Sequence, residues 1–413
     1  MFGIKKSNIF LAIWVTLPTF FSYASYFFPR PLKVFLIAPA GLFTLSVLFY
    51  FVLSFLPKPK FNFIPETRIL IALFVILVFG LLYTHAFTYG TNKIVFLSTW
   101  VILFYVYSSV IVNNFRTFAK GSLFCGIVFL FLLFSEFGDP ISFFKSMQGE
   151  TIRLGIEQEG VFTLNPIWVA RYLGFLFLMA LYLLDIKRGK NLLYAYLLLL
   201  FLYMITSGSK GPIYALIGAC MIYFASSKMS VNIKSISIFV AIFAGMFLLL
   251  NAMDFFSSSF YISRFSERSS SGLEREGYID AAFQFRGIFS FLFGTGTGNF
   301  GFFLNQRDLR AYPHNITAEL FYENGAVALF VLFLMYYSVF KKHALILKHK
   351  ELRLLCANFF YFGLNSMFSG DLFSNEYFFI FFILFHCEVM MIKRAEKIEI
   401  LLASQFPQYT YAK

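Results

Sequence analysis

Six arginines and no lysine lie between residues 254 and 315: Arg264, Arg268, Arg275, Arg286, Arg307 and Arg310. Over the whole chain lysines outnumber arginines 20 to 14, so the choice of guanidinium here is local. Guanidinium groups grip phosphate or carboxylate through two parallel N–H bonds, a geometry that an ammonium cannot reproduce. Six acids share the segment, Asp254, Glu267, Glu274, Glu276, Asp280 and Asp308. Each arginine therefore has two readings, an ion pair within the segment or a contact with a phosphorylated ligand.

Directly after these arginines comes Tyr312-Pro313-His314-Asn315. A histidine with an ordinary pKa near 6.5 can take a proton from a hydroxyl at neutral pH. Glu319 and Glu323 follow, one helical turn apart on one face. Acids entering an apolar helix must line a cavity or meet a cation. Three more cations join the list. Lys210, in Thr206-Ser207-Gly208-Ser209-Lys210-Gly211-Pro212, stands at a tight turn and a helix start, where backbone N–H groups favour an anion. Arg171 lies inside an apolar run and must face the interior or snorkel. Arg153 sits in an earlier polar stretch. Gly294-Thr295-Gly296-Thr297-Gly298 has the glycine content of a phosphate loop but no Lys-Ser/Thr after it, so it reads as a flexible turn. Glu157/Glu159 and Glu274/Glu276 read as solvated charge rather than a cation site. Cys125, Cys220, Cys356 and Cys387 each fall in an apolar stretch and read as small buried hydrophobes.

The elements that must carry these residues are apolar. Of 413 residues 59% are hydrophobic, 13% charged, and 62 are Phe; the mean hydropathy is +0.74. A soluble globular chain would have about a quarter of its residues charged. Soluble enzymes, disordered chains and disulfide scaffolds are excluded, which leaves an all-α integral membrane protein. Twelve runs approach the length needed to cross about 30 Å of hydrocarbon. They cover 8–28, 33–56, 69–88, 94–112, 120–138, 166–185, 191–206, 211–227, 235–253, 316–340, 354–370 and 377–392. The basic residues favour one set of connections, 21 of 34, which predicts both termini on the cytoplasmic side. The opposite short loops hold only Arg30, Lys33, Lys93 and Lys210. The net charge of +13 is thus a topology signal, not a nucleic-acid footprint. Two connections on the far side are long, 139–165 and 254–315. The second includes Tyr278 to Phe285, which reads as a helix lying on the membrane.

Over roughly residues 150–330 the chain resembles the bacterial O-antigen polymerase and O-antigen ligase superfamily. Four pieces carry the resemblance: Arg153-Leu154-Gly155 followed by Leu164-Asn165-Pro166; Ser207-Gly208-Ser209-Lys210-Gly211; Arg275 ahead of the apolar segment ending Phe293-Gly294-Thr295-Gly296; and His314-Asn315, nine residues, then Gly325. Two positions depart from the family pattern. Lys210 stands where arginine is usual, and Ala328 where the ligases favour Gly, Thr or Tyr.

The resemblance implies a single polytopic domain, with about twelve spans and a large periplasmic loop between the ninth and tenth. It implies a metal-independent inner-membrane glycosyltransferase of the GT-C type, without a cofactor, working on the periplasmic face. The donor would be an undecaprenyl-diphosphate-linked oligosaccharide, and a chain-length regulator is the expected protein partner. His314 would be the base, while Arg275, Arg264, Lys210 and Arg153 hold the diphosphate. Asn315, Tyr312, Glu323 and Arg171 would support them. Polymerase, joining lipid-linked repeat units, is the leading expectation. Ligase, moving the finished glycan to lipid A–core, is the alternative. A lipid-linked oligosaccharide flippase ranks third, since a flippase should carry its cations inside the spans.

Overall fold

The computed structural model describes residues 63–137, 166–186, 191–207, 209–225, 270–284 and 286–405. The expected runs at 8–28, 33–56 and 235–253 lie outside them, as does the whole 139–165 connection. Among the described residues the chain is helical and has no strand. Apolar runs become α1 (Thr67–Gly80), α2 (Phe87–Asn113), α3 (Phe115–Phe137), α4 (Pro166–Ile186), α5 (Asn191–Thr206) and α6 (Lys210–Ala225). Then follow α7 (Ser270–Phe283), the short α8 (Ile288–Phe293) and α9 (Asn299–Asn305), and the long α10 (Ile316–Phe340). The last elements are α11 (His343–Lys348), α12 (Lys350–Phe368), a 3₁₀ turn (Leu372–Ser374) and α13 (Glu376–Gln405).

Among the described residues four helices are long and apolar enough to cross a membrane: Phe87–Asn113, Phe115–Ser135, Ile167–Ile186 and Ile316–Phe340. Ile102, Phe131, Phe330 and Phe333 on these helices are exposed, as lipid-facing side chains must be. This is a helical membrane protein.

The core centres on α12, which packs against α4, α6 and α13, while α13 also packs along α2. α12 is buried on nearly every side from Leu352 to Ser366, the pattern of a central helix rather than a surface one. Phe378 to Phe385 on α13 are all buried. Lipid tails are as apolar as leucine, so close backbone approach has to hold such helices together. Gly174 supplies it, since a Cβ there would sit 2.1 Å from the Tyr361 hydroxyl. That hydroxyl donates to the Arg171 carbonyl at 3.0 Å. The four cysteines are buried and free, as expected.

Several boundaries differ from expectation. The run at 69–88 ends as helix at Gly80, and α2 begins at Phe87, seven residues before 94. The cause is remote in sequence. Asp308 accepts from the N–H groups of Thr88 (2.7 Å) and Tyr89 (3.0 Å), capping a helix whose own N-cap, Ala86, has no side-chain acceptor. Lys93, expected in a short loop, is therefore in the second turn of α2. At the other end α13 runs on to Gln405, because Lys393, Arg394, Glu396 and Lys397 continue a helix readily once it leaves the apolar layer.

The glycine segment 294–298 is the largest correction. It is not a flexible turn; all of it except Thr295 is buried. α10 is broken at Gly325 (φ 72°, ψ −169°), which frees carbonyls that an intact helix would use. Tyr322 O accepts from Thr295 N and Glu323 O from Gly296 N, both at 2.9 Å. Such non-helical backbone is tolerated in a membrane protein where protein buries it and satisfies it. Side chains are excluded on both partners: a Cβ on Gly294 would lie 2.2 Å from Glu323 backbone, and one on Gly325 2.3 Å from the Leu292 carbonyl. Thr297 pins the segment to α1 through Leu77 O (2.7 Å) and to α10 through the Asn324 amide (2.8 Å).

Candidate functional site

The residues singled out by sequence converge, in part, on the end of the bundle where α10 begins and α12 ends. Asn315 caps α10. Its Oδ1 accepts from Thr317 N (2.9 Å) and Ala318 N (3.1 Å), and its Nδ2 donates to the Met367 carbonyl at 3.0 Å. The cap thus ties the start of α10 to the last turn of α12. Arg171, only 4% exposed, faces the interior and donates to the carbonyls of Asn365 and Ser369 at the same end of α12. A cation there also meets the negative end of the helix dipole. Lys210 opens α6 and is half-buried, and a Cβ on its neighbour Gly211 would lie 2.8 Å from Phe368 of α12.

His314 precedes this cap in a left-handed backbone conformation, φ 59°. Few non-glycine residues adopt it, and strain of this kind gathers at functional sites. The ring stands edge-on to Tyr312, centroids 4.6 Å apart, and its Nδ1 is buried without a hydrogen-bond partner. Burial, reinforced by the positive charge of Arg275 and opposed by Asp371, pushes the imidazole down to about 4. His314 is neutral at pH 7 and can accept a proton. Arg275, half-buried on α7, thus acts electrostatically on the histidine 39 positions later. The Arg153 and Arg264 expectations lie outside the described residues.

Glu323 belongs elsewhere. Lys93 Nζ lies 2.5 Å from Glu319 Oε1 and 2.7 and 3.0 Å from the two oxygens of Glu323. All three side chains are at most 1% exposed. Of the two options for these acids, a cavity or a cation, the structure shows the cation. Glu323 is consumed by it and is removed from the supporting set.

Two residues that matter were missed. Asp371, fully buried, accepts from Arg310 through two bonds (Nε 3.0 Å, Nη2 2.9 Å), from the Tyr89 hydroxyl, and from Ser374 in the cap of the 3₁₀ turn. Burial alone would raise its carboxyl; Arg310 and the other donors hold it below the usual range. Arg310 was counted among the six arginines but not selected, and Asp371 was not noticed. Its signal was Asp371-Leu372-Phe373-Ser374, the spacing of a capping box. Arg310 also lies 5.6 Å from the Tyr312 ring, so the pair braces the residue against which His314 packs. Burial raises the Tyr312 phenol, which stays protonated.

No family model, curated protein or solved structure matches this chain. The function has to be argued from the geometry.

What that geometry offers is a neutral imidazole with an unused buried nitrogen, held against a braced tyrosine and beside an arginine's field. Arg171 and Lys210 are gathered at the adjoining end of α12. The arrangement suits deprotonation of a hydroxyl next to an anion.

Proposed function

We propose that the protein is a membrane glycosyltransferase that uses a polyprenyl-diphosphate-linked glycan as donor, most specifically an O-antigen or related surface-polysaccharide polymerase of the bacterial inner membrane. The observation that carries the reading is His314: neutral, strained, with Nδ1 unsatisfied and Arg275 nearby. In this reading His314 takes the proton of the acceptor hydroxyl as that oxygen bonds to the anomeric carbon. The bond from that carbon to the diphosphate breaks, and its electron pair leaves with the phosphate oxygen. Arg275, Lys210 and, from outside the described residues, Arg264 and Arg153 hold the developing charge. An anion bound beside Arg275 offsets the repulsion that depresses His314, so donor binding strengthens the base. The ligase reading uses the same chemistry and differs in the acceptor.

The flippase reading has one point in its favour, since Lys93 and Arg171 do lie within helices. Lys93 is neutralised by two carboxylates and Arg171 is bonded to helix-end carbonyls. Neither lines a cationic passage for a diphosphate.

The test pairs a His314→Ala protein with a gel of lipopolysaccharide and an extract of lipid-linked glycans from cells lacking the gene. Core carrying a single repeat unit, and the same profile from a normally inserted His314→Ala, supports polymerase. Bare core with long glycan on the carrier selects ligase. Repeat units stranded on the cytoplasmic face, or full activity of His314→Ala, overturn the proposal.

A further inference from the structure

Arg286 is a half-buried cation finished unlike Lys93 and Arg310, which meet carboxylates. Its guanidinium lies 4.4 Å from the Tyr322 ring centroid and 5.5 Å from that of Phe303, and it donates to the carbonyl of Ala281. Its positive charge lies over rings and beside carbonyl oxygens and has no carboxylate partner among the described residues.

Beside it is a cleft of about 100 Å³, where Arg286, Gln284 and Ser290 face the rings of Phe291, Phe321 and Tyr322. That is smaller than an engineered cavity of roughly 150 Å³ that takes a benzene, and far below the roughly 300 Å³ or more of a pocket for a drug-sized ligand. It suits a single compact oxyanion. The lining is apolar and open: Phe283 is 44% exposed and Phe291 43%, and no residue of α8 is buried. In a membrane protein such a patch meets acyl chains. The cleft is also turned away from the charged network. At 100° per residue, Phe321 stands opposite Glu319 and Glu323 on α10.

We propose that this cleft binds the phosphate of an anionic membrane phospholipid, whose acyl chains lie along the exposed face of α8. One cation and one phosphate-sized space fit a monophosphate diester better than a diphosphate. A zwitterionic lipid would bring its own ammonium and gain less from Arg286. The site is independent of the glycosyltransferase reading.

The test is native mass spectrometry of the full chain in detergent, with phosphatidylglycerol or phosphatidylcholine added. A charge-assisted contact predicts that the wild type retains one phosphatidylglycerol about tenfold more tightly than phosphatidylcholine. Arg286→Gln should bring the two lipids level. Ser290→Phe, which fills the cleft and keeps the arginine, should also remove the preference. Equal retention of both lipids by the wild type overturns the proposal, as does an undiminished preference in either variant. Displacement by millimolar inorganic phosphate would make this a site for a soluble oxyanion, and displacement by equimolar undecaprenyl diphosphate would make it a donor subsite. Either result refutes the phospholipid assignment.

Discussion

Two groups of charge meet around the turn between α12 and α13, and they are completed to different degrees. In the first, Lys93, Glu319, Glu323, Asp371 and Arg310 form a closed set. Both oxygens of each carboxylate have donors, Glu319 Oε2 taking the backbone N–H of Leu372 at 2.8 Å. In the second, Tyr312 and His314 pack edge to face with half-buried Arg275 acting on the imidazole by its charge, yet His314 Nδ1 has no partner and its backbone is strained. Closed charge fixes helices; incomplete charge leaves bonds for a ligand to make. On this contrast the Lys93 set is architecture, joining α2 to α10 and α10 to the 3₁₀ turn. On the proposed function, the chemistry is assigned to the His314 set.

The largest expected effect comes from opening the closed set. Lys93→Met leaves two carboxylates facing each other without a cation, and breaking a buried pair from one side costs about 3–5 kcal/mol. The variant should fail to accumulate, or melt far below wild type in detergent. Converting Glu319 and Glu323 to Gln in the same chain removes the unpaired charge and should restore most of the loss, since a neutral replacement of a buried ion pair is often tolerated. A Lys93→Met protein as stable as wild type would break the contrast at its stronger end.

Acid is the probe for the incomplete set. An unfolded histidine takes a proton near pH 6.5, whereas folded His314 resists until about 4. Between those values the unfolded chain binds more protons, so the stability His314 contributes is present above pH 6.5 and lost as the pH falls to 4. The loss is at most about 3 kcal/mol. Asp371 adds only a tail below about pH 5. Its depressed carboxyl contributes fully well above its ordinary value of 3.8 and loses most of that contribution below it. Melting temperature against pH should slope downward for wild type from pH 6.5 to 4, and should be flatter for His314→Gln by that amount. Parallel curves would mean that His314 is paired like the closed set.

What the sequence made legible follows the same division. Long apolar runs announced the membrane class and the helices at 166–185, 191–206 and 316–340, because composition over about twenty residues suffices. The i, i+4 placement of Glu319 and Glu323 announced a shared face and the need for either a cavity or a cation. The identity of that cation was not legible. Lys93 lies 226 positions from Glu319, and the start of its helix depends on Asp308, 220 residues from Thr88. The glycine segment was misread for a related reason. Glycine signals a turn locally, but here its freedom serves close packing onto carbonyls released at Gly325, which no local pattern reveals. His314 and Arg275 stand out in the sequence because their types are rare in such a chain. Asp371 was overlooked because one acid at a helix break looks like an ordinary cap, which it also is.

The smallest expected effect separates the two causes acting on His314. Burial is the larger and Arg275 the smaller, so Arg275→Gln should raise the titration midpoint of His314 without returning it to the ordinary value, and Arg275→Lys should leave it nearly unchanged. Ring-labelled histidine followed by NMR across pH 3 to 7 reads this directly. A midpoint that does not move in Arg275→Gln would mean that α7 does not act on the histidine, leaving the incomplete set without its cation. A midpoint that moves gives a second handle, because an anion bound at Arg275 must act in the same direction as deleting its charge. Adding a soluble diphosphate to the wild type should then raise the His314 midpoint, and adding it to Arg275→Gln should raise it less.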